Sequence, residues 1–214
     1  MKVLRLKVVK YGQRIGITWE TLINDDLSAF NRLPTKIAQA AARKQSDIVY
    51  AILSANAAMG DGVALFHANH GNLGTTGALS ITTLGELRKL MRQQKGKNNK
   101  DYLNLSPKFL LVGPVNETLA IQFTSADYLP NTANQVNPWK NLELIVEPRI
   151  TGTEFYDIVG QGVVDTIEYS FLDGQELYTE TRNGFDVDGV EVKARMVFGA
   201  KALDWKGMYK NVGA

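Results

Sequence analysis

Residues 31–56, NRLPTKIAQAAARKQSDIVYAILSAN, carry the longest uninterrupted helical pattern of the chain. Leu33, Ile37, Ala40, Ala41, Ile48, Ala51, Ile52 and Ala55 recur at steps of three and four, which places them on one side of a helix. That stripe predicts a spine helix facing a core, with Ile37, Ala41, Ile48 and Ile52 as its structural residues. Pro34 suits the first turn, where its missing N–H would have had no partner, and no other proline or glycine breaks the run before Gly60. From Ile48 to Leu53 every residue is apolar or aromatic, so the second half is expected to be covered on more than one side. Ile48 and Ile52 would each contribute roughly 1.5 to 3 kcal/mol if fully buried.

Upstream of the spine, Leu4, Leu6 and Val8 alternate with Arg5 and Lys7, the period of a strand with one apolar and one wet face. Gly12 and Gly16 bracket a second extended piece, and Thr18 is placed to cap a short helical turn, WETLINDDL. Charge is unevenly spread. Lys2, Arg5, Lys7, Lys10 and Arg14 occupy the first nineteen residues with no acid, whereas residues 165–191 hold Asp165, Glu168, Asp173, Glu176, Glu180, Asp186, Asp188 and Glu191 against Arg182 alone. Two solvated surfaces would account for this, as would a contact between copies in which one basic arm lies on the next acidic face. The five N-terminal cations are therefore candidate subunit-contact residues.

Downstream, MGDGVALFHANHGNLGTTG is a glycine-rich loop. Thr83 and Glu86 have the spacing of a capping box, with Leu84, Leu87, Leu90 and Met91 on one face of the helix that follows and Gly96 placed to end it. KFLLVGP predicts a buried strand and VNETLAIQF a helix with Leu119 and Phe123 one turn apart; LELIVEP and EFYDIVG are further strands. The alternation is that of a small α/β lobe. After Val164, TIEYSFL, ELYTETR and VEVKARMVF are separated by Asp173-Gly174, Asn183-Gly184 and Asp188-Gly189, which predicts antiparallel hairpins.

The 214 residues have an ordinary globular composition, 44% hydrophobic and 21% charged. There is no cysteine, so disulfides, thiolate metal sites and cysteine nucleophiles are excluded, and a reducing compartment is compatible. No apolar run approaches the ~20 residues that cross a bilayer, and no secretory h-region opens the chain, so a soluble cytoplasmic product with no membrane partner is expected. His67, His70 and Asp61 would serve a metal-dependent hydrolase, but their spacing is not H-E-x-x-H and no third ligand can be named. These histidines with Asn69 and Asn72 also suit a loop braced by backbone hydrogen bonds. Residues 88–100 carry Arg88, Lys89, Arg92, Lys95, Lys97 and Lys100 without an acid, which fits a solvated face or contact with nucleic acid. Glu143, Glu147 and Asp157 give no reason to pair for acid–base work, and no nucleophile, base and orienter constellation emerges. A non-enzyme without cofactor or metal is the expectation.

The phrases YGQRIGITWETLINDDLSAF (11–30), AAARKQSDIVYAILSAN (40–56), DGVALFHANHGNL (61–73), LELIVEPRI (142–150), DTIEYSFLDGQE (165–176) and ETRNGFDVDGVEVKARMVFGAKALDWKGMYKN (180–211) resemble the major capsid protein of tailed phages and prophages. The similarity is to the group associated with a ClpP-like prohead protease. It implies an α+β, HK97-type capsid fold. Residues 1–17 would be the returning strand of an extended loop, residues 18–73 and 164–214 a peripheral domain with the spine at about 31–56, and residues 74–163 an inserted α/β axial domain. The implied partners are the chain itself in hexameric and pentameric capsomers, packaged double-stranded DNA by non-specific contact, and a prohead protease and scaffold during assembly. The implied location is the virion capsid, with the host bacterial cytoplasm during assembly. An encapsulin-like nanocompartment shell is the alternative of the same fold. Met1 stands where only the second half of the extended loop would begin, so the resemblance implies that the N-terminal arm and the first half of that loop are lacking.

Overall fold

The computed structural model describes residues 5–24, 27–125, 137–184 and 188–214, without the side chains of residue 22 and residues 27–31. Lys2 and Leu4 lie outside the described residues, as does Asp186. Packing divides the chain into two units, one of Val3–Ile52 with Glu168–Lys201 and one of Leu53–Ile167 with Ala202–Ala214. These boundaries differ from the changes at 73 and 163 that the resemblance implies. They divide by packing, whereas peripheral and axial name positions in a shell.

The first unit is a long helix, preceded by a short one, on one sheet. Strand β1 (Val9–Thr18) runs antiparallel to β7 (Gly189–Ala202) over ten residue pairs, from Val9 opposite Phe198 to Thr18 opposite Gly189. On the other edge of β7 lie β5 (Ile167–Phe171) and β6 (Tyr178–Asn183), the latter pairing Tyr178 with Arg195 and Asn183 with Val190. The expected break between two N-terminal extended pieces is replaced by this single strand, which begins only at Val9, opposite Phe198, although β7 continues to Ala202. A Cβ at Gly199 would meet the Lys7 carbonyl, so the segment ahead of β1 runs close to β7. Helix α1 (Trp19–Asn24) follows, and its Thr21 N–H donates to the Thr18 hydroxyl at 3.4 Å, the cap expected there.

Helix α2 (Leu27–Ala55) is the spine. It begins earlier than the sequence pattern suggests, so Pro34 lies in its interior and removes one backbone hydrogen bond instead of occupying the first turn. Its Gln45 amide donates to the Met196 sulfur at 3.2 Å, and its Lys44 ammonium lies 5.3 Å from the Tyr11 ring, which sets it over β1 and β7. The apolar stripe is half-buried: Ile37, Ala41, Ile48 and Ile52 all keep partial exposure, Ala40 and Ala51 are exposed, and only Leu53 is buried. A single layer of sheet covers one side of the helix, so the expected cover on more than one side is not supplied within this unit. The interior of the unit is the inward face of β7, with Ala194, Met196 and Phe198 buried and Phe198 against Phe171 at 5.1 Å.

The second unit has the fuller core. Its sheet has the order β3-β2-β4-β8, with β2 (Pro107–Val112) parallel to β3 (Glu143–Val146), and β4 (Phe155–Val159) antiparallel to both β2 and β8 (Met208–Asn211). The expected antiparallel C-terminal quarter is thus shared, with β5 to β7 in one sheet and β8 in the other. Helix α3 (Ile81–Gln93) buries Leu84, Leu87 and Met91, as their spacing predicts, against Leu110, Val112, Phe155 and Tyr209. Its cap lies one turn earlier than expected: Ser80 and Thr83 form the capping box, and Glu86 instead accepts from the Thr75 N–H at 3.1 Å and its hydroxyl at 2.6 Å. The helix ends at Gln93 with an extended Gln94, ahead of Gly96. In α4 (Glu117–Thr124) the buried residue is Ala120, with Phe123 packed on the core, while Leu119 is exposed. Among the described residues no helix is long and apolar enough to cross a membrane.

Candidate assembly surface

Arg5, Lys7, Lys10 and Arg14 are all exposed along the N-terminal edge of the first unit. Arg14 does not wait for another copy to find an acid: its guanidinium stands 4.0 Å from Glu191 of the same chain, which also accepts from Arg182 Nε at 2.7 Å. Two residue pairs along the same strands, Lys193 and Glu180 approach to 2.5 Å. The hydrogen bond from Arg182 holds Glu191 below the usual carboxylate range, and Lys193 does the same for Glu180. Part of the charge asymmetry is therefore consumed by cross-strand pairs. Arg5 contributes its carbonyl to Lys201 Nζ at 3.2 Å, leaving its guanidinium outward with Lys7 and Lys10.

Above these strands, α2 and the β1–β7 pair enclose an open groove of about 440 Å³, lined by Ile37, Ala40, Ala41, Tyr11, Lys44 and Met196 among others. Two of the four spine residues, Ile37 and Ala41, thus face a groove, and Ile48 and Ile52 lie further along the half-buried stripe. Large apolar side chains of this unit also stand in solvent: Trp19 is 51%, Ile23 62% and Tyr169 60% exposed. Sequence periodicity located the stripe but carried no signal for which part of it the chain itself would cover.

The histidine loop is a brace. Asn72 is fully buried, accepts from the His67 N–H at 3.1 Å, and donates to the Leu65 and Met208 carbonyls at 2.9 and 3.1 Å. His70 is stacked on Trp205 at 4.0 Å, with Nδ1 at 3.1 Å from the Leu65 carbonyl and Nε2 at 2.8 Å from Asp61. That hydrogen bond is the main reason the Asp61 carboxyl is held below its ordinary range. His67 Nδ1 accepts from the Asn69 N–H at 3.1 Å. Both histidines are occupied by the loop, and among the described residues no three His, Asp or Glu side chains converge. Glu147 is paired to Arg149 at 2.7 Å rather than to another carboxylate.

A thin helix-on-sheet unit joined in sequence to a small mixed sheet with flanking helices is the architecture of solved viral shells. The chain is similar to a solved structure from Mycobacterium phage Patience (14% identity, 98% of this chain and 70% of that chain, TM-score 0.67). It is also similar to a phage-related protein from Bordetella bronchiseptica (9%, 95% and 74%, 0.63) and to the SrpI encapsulin of Synechococcus elongatus (12%, 96% and 73%, 0.58). At these identities the likeness establishes the fold, which is HK97-type. No curated protein matches the chain. The family model described as phage capsid protein matches residues 2–211. The chain belongs to that family and is a structural capsid subunit.

Proposed function

We propose that the chain builds hexameric and pentameric capsomers of an icosahedral phage or prophage head and encloses double-stranded DNA through non-specific contacts. In this role residues 1–17 serve as the extended-loop strand, residues 18–73 and 164–214 as the peripheral domain, and residues 74–163 as the axial domain. The observation that carries the proposal is the unfinished first unit: a half-buried spine beside a groove, with Trp19, Ile23 and Tyr169 in solvent. A monomer gains nothing from such apolar exposure, whereas a neighbouring copy that covers it stabilises both. The outward cations Arg5, Lys7 and Lys10, with Lys2, steer that neighbour, and Arg14 acts through Glu191 of its own chain. Assembly takes place in the host cytoplasm with a scaffold and a prohead protease as transient partners, and ends in the virion.

Negative-stain electron microscopy and light scattering of the purified chain across concentration and salt test this. Rings or shells are expected, and the triple change Arg5→Glu, Lys7→Glu, Lys10→Glu should abolish them with an unchanged circular dichroism spectrum. A strictly monomeric protein under all conditions would sink the proposal. The similarity to the SrpI encapsulin supports a second reading as a nanocompartment shell. Particles recovered from cells with a protein cargo and no DNA would favour it.

A further inference from the structure

Helix α3 carries Arg88 and Arg92 one turn apart on one face. Both line a concave pocket of about 230 Å³ in the second unit, whose other walls include Ser106, Trp139 and Asn141. Among the described residues no carboxylate is in this lining. The comparison with the smaller pocket of the first unit is informative, because there Arg14, Arg182 and Lys193 are matched by Glu180 and Glu191. The cations on α3 have no such neighbours in the wall.

The charge state of Arg88's surroundings strengthens the contrast. Its guanidinium lies over the Trp139 ring at 5.3 Å and is half-buried, where screening by water is weaker. The carboxyl group that feels Arg88 is Asp157 on β4, fully buried with neither oxygen hydrogen-bonded. Burial pushes this carboxyl up to about 8, with Arg88 pulling partly the other way. At neutral pH Asp157 is thus protonated and puts no negative charge beside Arg88. Arg92 gives one N–H to Asn104 Oδ1 at 2.7 Å and keeps the rest of its five-donor fork. The Trp139 Nε1–H in the same wall is without a partner. Two guanidinium forks, a hydroxyl and an amide around a concave space match the tetrahedral, multiply accepting geometry of a phosphate better than a planar carboxylate or a halide.

We propose that this pocket binds a phosphate group, held by Arg88 and Arg92 with Ser106 and Asn141 as neutral partners. A phosphodiester of a polynucleotide and free phosphate share this chemistry. The site belongs to the folded chain and does not depend on shell assembly.

The test is nuclear magnetic resonance of the ¹⁵N-labelled chain, following the Trp139 indole and the arginine side chains. Inorganic phosphate is titrated at constant ionic strength against chloride, and a short DNA duplex is titrated separately. A saturable shift with phosphate and not with chloride is expected. Arg88→Gln and Arg92→Gln should each weaken it about tenfold or more, since each removes a charged bidentate donor. Lys97→Gln, outside the pocket, should change it by less than about twofold. If the duplex gives the same shifts with the same arginine dependence, the phosphate comes from a polynucleotide; if only inorganic phosphate does, the site takes a free anion. Above pH 8 ionised Asp157 competes for Arg88, so binding should fall in the wild type and persist in Asp157→Asn. No saturable shift, or binding indifferent to the exposed Arg92→Gln, overturns the proposal.

Discussion

Asn72→Ala tests whether the glycine-rich loop is held by one buried amide. The substitution removes three good hydrogen bonds, from His67 N–H at 3.1 Å and to the Leu65 and Met208 carbonyls at 2.9 and 3.1 Å, together with a long one to the Trp205 carbonyl at 3.5 Å. At about 1 kcal/mol net each, the bonds amount to about 3 kcal/mol. The Leu65 carbonyl keeps its contact with His70 Nδ1 at 3.1 Å, so it is not orphaned. The His67 N–H loses its partner, but His67 itself is exposed, so water can replace it. A loss of about 3 kcal/mol is expected, a large share of the roughly 5 to 15 kcal/mol that stabilises a typical domain. Urea unfolding followed by tryptophan fluorescence measures it, since Trp205 stacks on the adjoining His70. Asn72→Asp should be at least as damaging at pH 7, because its carboxylate would face two carbonyls, and should recover partly on acidification as it regains an O–H donor. A loss below about 1 kcal/mol for Asn72→Ala would refute the brace.

Asp157 supplies a pH dependence of definite sign. Its carboxyl ionises near 3.8 when unfolded and at about 8 when folded, so across that window the native state binds the extra proton. Stability from this group is complete below pH 4 and is lost as pH rises through 8; Asp157→Asn should flatten the fall in melting temperature between pH 5 and 9. A wild-type profile that rises over this range would contradict the buried, unpaired acid. Ile48→Asp, on the half-buried stripe of α2, should cost about 1 to 3 kcal/mol and leave a folded chain that no longer forms particles. Complete unfolding by circular dichroism would mean that the stripe is covered within the chain after all.

The features legible in the sequence were those whose cause is local. Leu84, Leu87 and Met91 recur at a helical period and are buried together. Asp173-Gly174 does turn the chain, with positive φ at both residues, 54° and 70°, but the expected hairpin there does not form, because β5 and β6 each pair with β7 and not with each other. The cap of α3 was not legible: Thr83-x-x-Glu86 has the capping-box spacing, but in the fold Ser80 and Thr83 cap the helix and Glu86 binds Thr75. Strand β8 was not singled out because MYKN is too short to show alternation and owes its state to Phe155–Ile158 opposite it. Of the candidate site, the basic run on α3 was visible. The pocket was not, since Ser106, Trp139 and Asn141 come from segments that no spacing rule connects to Arg88. The pairing of Arg14 with Glu191 was hidden for the same reason.

The antiparallel pairing of Val9 with Phe198 has a consequence for synthesis. Closing a chain loop costs entropy that grows with the logarithm of its length, so contacts this remote in sequence are the last to become favourable. Residues 53–167 hold most of the second unit and can condense while the ribosome is still at work, shortening the effective loop. The sheet of the first unit has no central strand until β7 emerges, after β1, β5 and β6. A polysome crowded with nascent copies would therefore display no finished adhesive face. Competence to associate is switched on by the emergence of β7, a timing device written into strand order alone.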